Sequence, residues 1–565
     1  MTFVLPLRFG YPRFRQAKCI ARLMDFAPNF PELSELVEKI FRETQSEMSE
    51  DMVQELIAYG RPVMSCDNLI VGLLQQHPPS TLEAVGSILS ALQGLGMPEA
   101  YLLATRVQVE IARPLATVSN GAQFVTFPFK LAKYGAALTA LGRHSEALPV
   151  IREPVERIRA FISENNPEPG QRLLLLAVDN YAKCLDHTGD HVQALQACEE
   201  AVTIARKLAE KLEGHNVDTL HMYLVGYSNL LDAAGHHEES ITVTREGVAI
   251  ARTMVRIDSS RRGNLGGSLW NLSARLRSAG FFEESVATSE EAIEIFREAR
   301  HESGGGFEWG LYSTLVCYAD SLDEVCRYND SLKAGQEAIA LQDSFGPDHS
   351  VERSASFAYL LAAHGGRLAK IGRLAEAARP LELGVGKLRR VNTLAPEGCA
   401  GRLASALVNY GMYLLDTEEI DKAIEAFEEA VALGTTIGSP PSPSDGVQAG
   451  SLDAYAIGLL RARRVMEAIP VQKEAVGLWR RAVASAPRLY MSHFAKSLRM
   501  FSLLLSVAGR MTDSLSLAEE AYLASLAAVE ANPSRRQLVT DSKLWLDSLH
   551  RRIGFGGDPG VMTVG

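Results

Sequence analysis

The chain has 565 residues, with 57 lysines and arginines against 68 aspartates and glutamates, a net charge of −11, and 47% hydrophobic residues. That composition fits a soluble protein of several domains or one long repeat array, and the acidic balance excludes a broadly nucleic-acid-binding surface. Seven cysteines without a C-x-x-C pair, no apolar run of membrane-spanning length and no signal-peptide pattern exclude a disulfide scaffold, a zinc ribbon and a membrane protein; a reduced, cytoplasmic setting is expected.

Residues 1–95 read as a divergent N-terminal helical region, with helical spacing from Leu33 to Phe41 and from Met52 to Tyr59 but no clear repeat. A weak first unit surrounds Gly96 and Ala100. From there to residue 533 one pattern recurs: a turn residue, four variable positions, then Ala or Ser followed by an apolar residue. The turn positions are Gly142, Gly189, Gly235, Gly280, Cys326, Gly372, Glu418, Arg463 and Gly509, spaced by 45 to 47 residues. Four residues before each turn stands leucine, from Leu138 and Leu185 through to Leu505. Seven before it stands Gly, Ala or Ser, and eight before it most units carry tyrosine. Twelve after it, all units but the one with Pro154 are small again.

These offsets fall on single helical faces, so each unit is expected to be two antiparallel helices. The small columns let the helices approach closely, and a unit that cannot bury its own stripe must stack on its neighbours. Loops are expected at Glu164–Gly170, Ser259–Gly263 and Gly304–Gly306. The Ser/Pro run from Ser439 to Ser444 keeps the register and so replaces loop and early helix instead of adding a hinge. Residues 534–565 are a cap and tail, with an amphipathic helix from Leu538 to Arg552 carrying Leu544, Trp545 and Leu549. The fold expected is all-α: a right-handed α-solenoid of about nine helix–turn–helix units with helical caps at both ends.

The columns resemble the tetratricopeptide repeat superfamily, over residues 118–533. The period departs from that repeat, which is about 34 residues long. Long-helix variants such as those of kinesin light chains are more similar. So are the arrays attached to nucleotide-switch signalling proteins of fungi and bacteria, as in Ser268-Leu-Trp-Asn-Leu-Ser273.

No catalytic constellation stands out, and no enzyme activity, cofactor or metal is expected. Gly384-Val-Gly386-Lys387-Leu388 lacks the first glycine and the Ser/Thr of a phosphate loop. His236-His237-Glu238-Glu239 reads as the polar start of an exposed helix, because adjacent histidines point to different faces. Cys184, Cys198, Cys317 and Cys326 read as small packing residues. The tyrosine column reads as inter-helix core, and a glutamate column eleven residues after the turn (Glu153, Glu200, Glu246, Glu291, Glu337, Glu429, Glu474, Glu520) reads as a solvated convex face.

The resemblance implies that the first helix of each unit lines a concave groove. Its groove positions here are Asp179, Asn180, Asp186, Asn229, Asp232, Trp270, Asn271, Asp320 and Asp323, with Lys183, Arg277 and Glu324 beside them. Acids dominate, asparagines can hold an extended backbone and Trp270 offers a flat apolar contact. Asp179 stands where a lysine clamp for acidic tails would need a base, so the partner expected is a protein or peptide with a basic or neutral segment. In the last units Val408, Met412, Leu415, Ile457, Leu460, Leu503 and Val507 make the same positions apolar. Either residues 1–90, a second copy or a hydrophobic partner is expected there. No nucleic-acid or membrane partner is expected. The alternatives are the sensor part of a nucleotide-switch protein whose ATPase module lies elsewhere, and an enzyme site within residues 1–90.

Overall fold

The computed structural model describes residues 98–554, except the short connections 117–121, 166–167, 211–213, 304–305, 345–350 and 437–443. The expectations for residues 1–95 and for the Gly96 turn therefore lie outside the described residues, as do parts of the expected loops. The described chain is a succession of helices without strands: α1 Pro98–Ala116, α2 Ala122–Ala140, α3 His144–Asn165, α4 Glu168–His187, α5 His191–Ala209, α6 Gly214–Ala233, α7 His237–Ile257, α8 Arg262–Ser278, α9 Phe282–Ser303 and α10 Glu308–Glu324. It continues as α11 Tyr328–Ala340, α12 Val351–Lys370, α13 Leu374–Leu394, α14 Pro396–Asp416, α15 Ile420–Thr436, α16 Ser444–Arg461, α17 Val465–Ser485, α18 Pro487–Val507, α19 Met511–Ala531 and α20 Arg536–Gly554. Two compact bodies divide between Leu230 and Leu231. None of the described helices is long and apolar enough to cross a membrane.

All nine turn positions have left-handed backbone, with φ between 61° at Cys326 and 88° at Gly189. In each, the next residue donates its N–H to the carbonyl of the leucine four before the turn, as in Arg143 to Leu138 at 2.9 Å and Arg510 to Leu505 at 2.8 Å. This is a Schellman cap, which satisfies carbonyls that the helix end would otherwise leave without donors. The leucine column thus has two roles: its backbone closes the cap and its side chain is buried, with no member above 3% exposed. Arginines just after the turn then fork onto the acid three residues on, as in Arg143–Glu146, Arg373–Glu376 and Arg464–Glu467.

Six of these turns use glycine; Cys326, Glu418 and Arg463 hold φ of 61°, 64° and 62° with a Cβ. A left-handed non-glycine residue costs about 1–2 kcal/mol, part of which glycine returns through its freer unfolded chain. Glu418→Gly and Arg463→Gly are each expected to stabilise the protein by about 0.5–1 kcal/mol. A higher urea midpoint at unchanged slope is the expected result, and Gly372→Ala should move the midpoint the other way.

Close approach explains the small columns. The residue five after each turn is fully buried in all nine units, from Ala147 to Ser514. In three of the four units where it is serine it also donates to the backbone of the first helix: Ser285 to Ser273 at 2.8 Å, Ser331 to Ala319 at 2.8 Å and Ser514 to Ser502 at 2.7 Å. A glycine seven before the turn is matched by a large residue nine after it: Gly135 with Ile151, Gly365 with Leu381 and Gly411 with Phe427. Where alanine or serine takes the first place, the second holds Cys198, Thr244, Ser289, Gly335 or Ala518, with Gln472 the exception.

Within each body, first helices of consecutive units touch one another as well as their own partners: α2 with α4, and α8 with α10, α12 with α14, α14 with α16. Second helices chiefly meet the first helices on either side. The first helices therefore lie on the shorter, inner arc. On the outer arc the gap is bridged by side chains, because an arginine seventeen after one turn reaches the glutamate eleven after the next. Arg159–Glu200, Arg252–Glu291, Arg297–Glu337, Arg389–Glu429 and Arg480–Glu520 form such pairs. The glutamate column is an inter-repeat ladder at these five places, which corrects its reading as a merely solvated face. Tyrosines of the inner column also tie units together, with Tyr318 donating to Glu290 at 2.7 Å and Tyr455 to Glu428 at 2.9 Å.

The last helix, α20, caps the array with Leu549 fully buried and the Trp545 indole donating to Ser502 at 2.8 Å. Leu544, expected on its apolar face, is 59% exposed and points away.

Candidate functional site: the inner helical face

The residues expected to line a groove divide between the two bodies. In the first, Asp179 and Asp186 stand two helical turns apart on α4, where i and i+7 share one face. Lys183 Nζ lies 2.6 Å from Asp179 Oδ2, and His191 Nδ1 lies 2.9 Å from Asp186 Oδ1. Both partners are largely exposed, at 54% and 65%. Asn180 is buried and turns its amide back to the Leu176 carbonyl at 2.9 Å, so it belongs to its own helix. Asn229 on α6 is half-buried and also has interactions within the structure.

In the second body the acids are bound up more tightly. Asp232 accepts from His237 at 2.9 Å, from Arg275 at 2.8 Å and from Ser278 at 2.8 Å. Burial alone would raise its carboxyl; His237, Arg275 and Ser278 together hold it below the usual value. Asp320 and Asp323 on α10 share one arginine from the next unit. Arg367, only 2% exposed, gives Nη2 to Asp320 at 2.5 Å and Nε to Asp323 at 2.7 Å. Arg367 sits one residue off the groove positions read from the sequence, which is why the sequence did not show the pairing. Burial, with the charge of Arg367 beside it, pushes the His364 imidazole down to about 4, and Asp320 together with burial pushes the Tyr359 hydroxyl up to about 12. Trp270 packs against the cluster of Ile293, Phe296 and Tyr312, and Asn271 beside it is half-buried.

The apolar positions of the last units are largely consumed by contacts between first helices. Leu415 is buried at 2%, while Val408 and Ile457 pack on its cluster and Leu460 on the next. Met412 and Val507 remain exposed, at 36% and 46%. Among them sits a feature the sequence reading missed: Asp453 accepts from Gln472 at 2.6 Å, Ser497 at 2.6 Å and Trp479 at 2.7 Å. Burial pushes this carboxyl up to about 6 against those three donors.

The other sequence candidates take structural places. Gly384 lies inside α13, where a Cβ would meet the Ala362 backbone nitrogen at 2.6 Å, so it is a close-packing residue. His236 stands at the N-cap position of α7 without a side-chain capping bond, and His237 is turned onto Asp232. No group of three metal-ligating side chains occurs among the described residues. Cys184 and Cys317 are buried, and burial pushes the Cys198 thiol up to about 12. Cys326 is exposed at its left-handed turn and is not a packing residue.

Comparison with known proteins fits this arrangement of helix pairs. The tetratricopeptide repeat family model matches residues 404–433, the unit of α14 and α15. The model of anaphase-promoting complex subunit 5 matches residues 170–212, the unit of α4 and α5. No curated protein matches the chain. Among solved structures, BtubC (BKLC) from P. vanneervenii is similar at 16% identity over 43% of this chain and 90% of that one, with a TM-score of 0.34. A putative kinesin light chain of Podosopora anserina with nearly identical TPR-like repeats is similar at 15% identity over 39% and 99%, with a TM-score of 0.32. The apo form of RapI is similar at 11% identity over 60% and 99%, with a TM-score of 0.36. The unit of α14 and α15 is thus similar to a tetratricopeptide repeat, and the units on either side of it are built from the same kind of helix pair.

Proposed function

We propose that the chain is a non-enzymatic scaffold that holds a basic or neutral protein segment against the inner helices of its repeats. Asp179 and Asp186 on α4 are the acids that recognise it. The observation that carries this is the difference between the groups that hold the two sets of acids. Asp179 and Asp186 are paired with Lys183 and His191, which are 54% and 65% exposed, and a pair whose basic partner lies that far in water is worth about 0–1 kcal/mol. A ligand cation replaces such a partner at little cost. Asp320 and Asp323 are held by buried Arg367, and breaking a buried pair costs about 3–5 kcal/mol, so they serve the fold.

Partner capture from a native lysate tests the reading, with wild-type chain against Asp179→Lys/Asp186→Lys at low and high salt. Partners with a basic segment should be held by the wild type, lost from the variant and weakened by salt, as screening requires. If both chains capture the same proteins at either salt concentration, the α4 acids do not recognise the partner.

A further inference from the structure

Within the second body the chain returns on itself. Asn532 Nδ2 donates to the Glu324 carbonyl at 3.3 Å, across 208 residues of sequence. Arg535 Nη2 donates to the Glu324 carboxylate, and Ser534 Oγ donates to Glu283 Oε1 at 3.0 Å. The turn that presents them is ordered by Asn532 itself, whose Oδ1 accepts the Ser534 N–H at 3.1 Å. Asn532 is 3% exposed and the Arg535 side chain 11%. Beside this contact the start of α18 meets the α8–α9 turn. Arg488 lies over the Phe281 ring at 4.5 Å, and a Cβ on Gly280 would come within 2.7 Å of the Arg488 carbonyl carbon.

The character of this closure differs from that of the repeat interfaces. Successive units are joined through apolar clusters such as the one from Ala449 to Leu538 and the one from Ile293 to Leu360. Here the joints are an ion pair, hydrogen bonds and a cation over a ring, contacts that a second segment carrying the same groups can make in their place, whereas apolar contact is remade only by a surface of matching shape. The groups around Glu324 are basic as well: burial would raise its carboxyl, but His493 and Lys496 of α18 together with Arg535 hold it below the usual value, while burial pushes the His493 imidazole itself below its own. Glu324 is thus a carboxylate held by the basic groups of one late segment, at the C-terminal end of α10.

We propose that the Asn532–Arg535 turn is a latch. It closes this part of the array by presenting an arginine to Glu324, and a partner segment that presents an arginine on a turn displaces it and opens the array. The latch does not depend on the α4 acids, which lie in the other body.

The test uses the full-length chain and, as probe, a fluorescent peptide with the sequence of residues 530–537. Radius of gyration is measured by small-angle scattering and probe affinity by anisotropy. Arg535→Gln is expected to enlarge the radius and to bind the probe at least tenfold more tightly than the wild type. Adding Glu324→Gln should remove that gain in affinity while the radius stays large, and a probe with both arginines replaced by alanine should not bind. Ser534→Ala, which removes only the Glu283 contact, should fall between wild type and Arg535→Gln. Unchanged radius and affinity in Arg535→Gln overturn the proposal, as does a gain in affinity that survives Glu324→Gln. Loss of folding in both Arg535→Gln and Ser534→Ala also overturns it, because the turn would then be an obligatory part of the core. A retained salt-sensitive capture through Asp179 and Asp186 alongside any of these results leaves the α4 reading in place.

Discussion

Arg367→Ala is expected to cost about 3–5 kcal/mol of unfolding free energy, because it takes from two carboxylates the buried guanidinium that bridges them across a repeat boundary. Arg367 is 2% exposed, and Asp320 and Asp323 are 20% and 16% exposed, so water replaces little of what is lost. The pairing is a fork: one nitrogen for each aspartate, from one planar group. Arg367→Lys should therefore recover only part of the loss, since a single ammonium cannot reach both carboxylates in that geometry. Asp320→Asn/Asp323→Asn should recover more of it in an Arg367→Met background, by removing the stranded charges. Urea unfolding of the four chains decides the matter. A change below about 1 kcal/mol in Arg367→Ala would place this pair among ordinary surface pairs.

The second large effect lies in the unit of α14 and α15. Phe427 is fully buried, and a Cβ on Gly411 would come within 2.3 Å of its ring. Phe427→Ala is expected to cost about 3–5 kcal/mol through lost burial and the cavity left behind. Gly411→Ala should cost about 1–3 kcal/mol in the wild type, where the ring has nowhere to go. In the Phe427→Ala background the same substitution should change sign and stabilise by up to about 1 kcal/mol, since alanine is the better helix former once the space is open. A cycle of equal Gly411→Ala effects in both backgrounds would remove the size-matching rule.

Much of this architecture was legible from the chain. The nine turns are readable because a left-handed cap demands a glycine most of the time and leaves a leucine at a fixed distance. Even Cys326, Glu418 and Arg463 were placed by register where composition alone would have missed them. The inner-face acids were readable as positions, but their state was not. Arg367 stands one residue away from the groove set, and only the rotation of α12 against α10 decides that it turns toward Asp320. The Arg–Glu ladder was half visible: the glutamates form a column, and their partners form another seventeen residues after the turn, which pairs only across neighbouring units. The contact of Arg535 with Glu324 was not visible at all. It depends on how far several small rotations between repeats add up, and no local pattern records that sum.

That ladder has a mechanical consequence. When neighbouring repeats bend toward the inner face, the packed first helices act as the pivot and the outer helices must separate, stretching Arg252–Glu291, Arg297–Glu337 and their counterparts. The restoring force on the outside is thus electrostatic, and it is borne by half-exposed side chains that dissolved ions screen over about 8–10 Å at ordinary ionic strength. The repeats of the second body behave as a leaf spring with a rigid inner blade and an outer one whose stiffness is set by the salt around it.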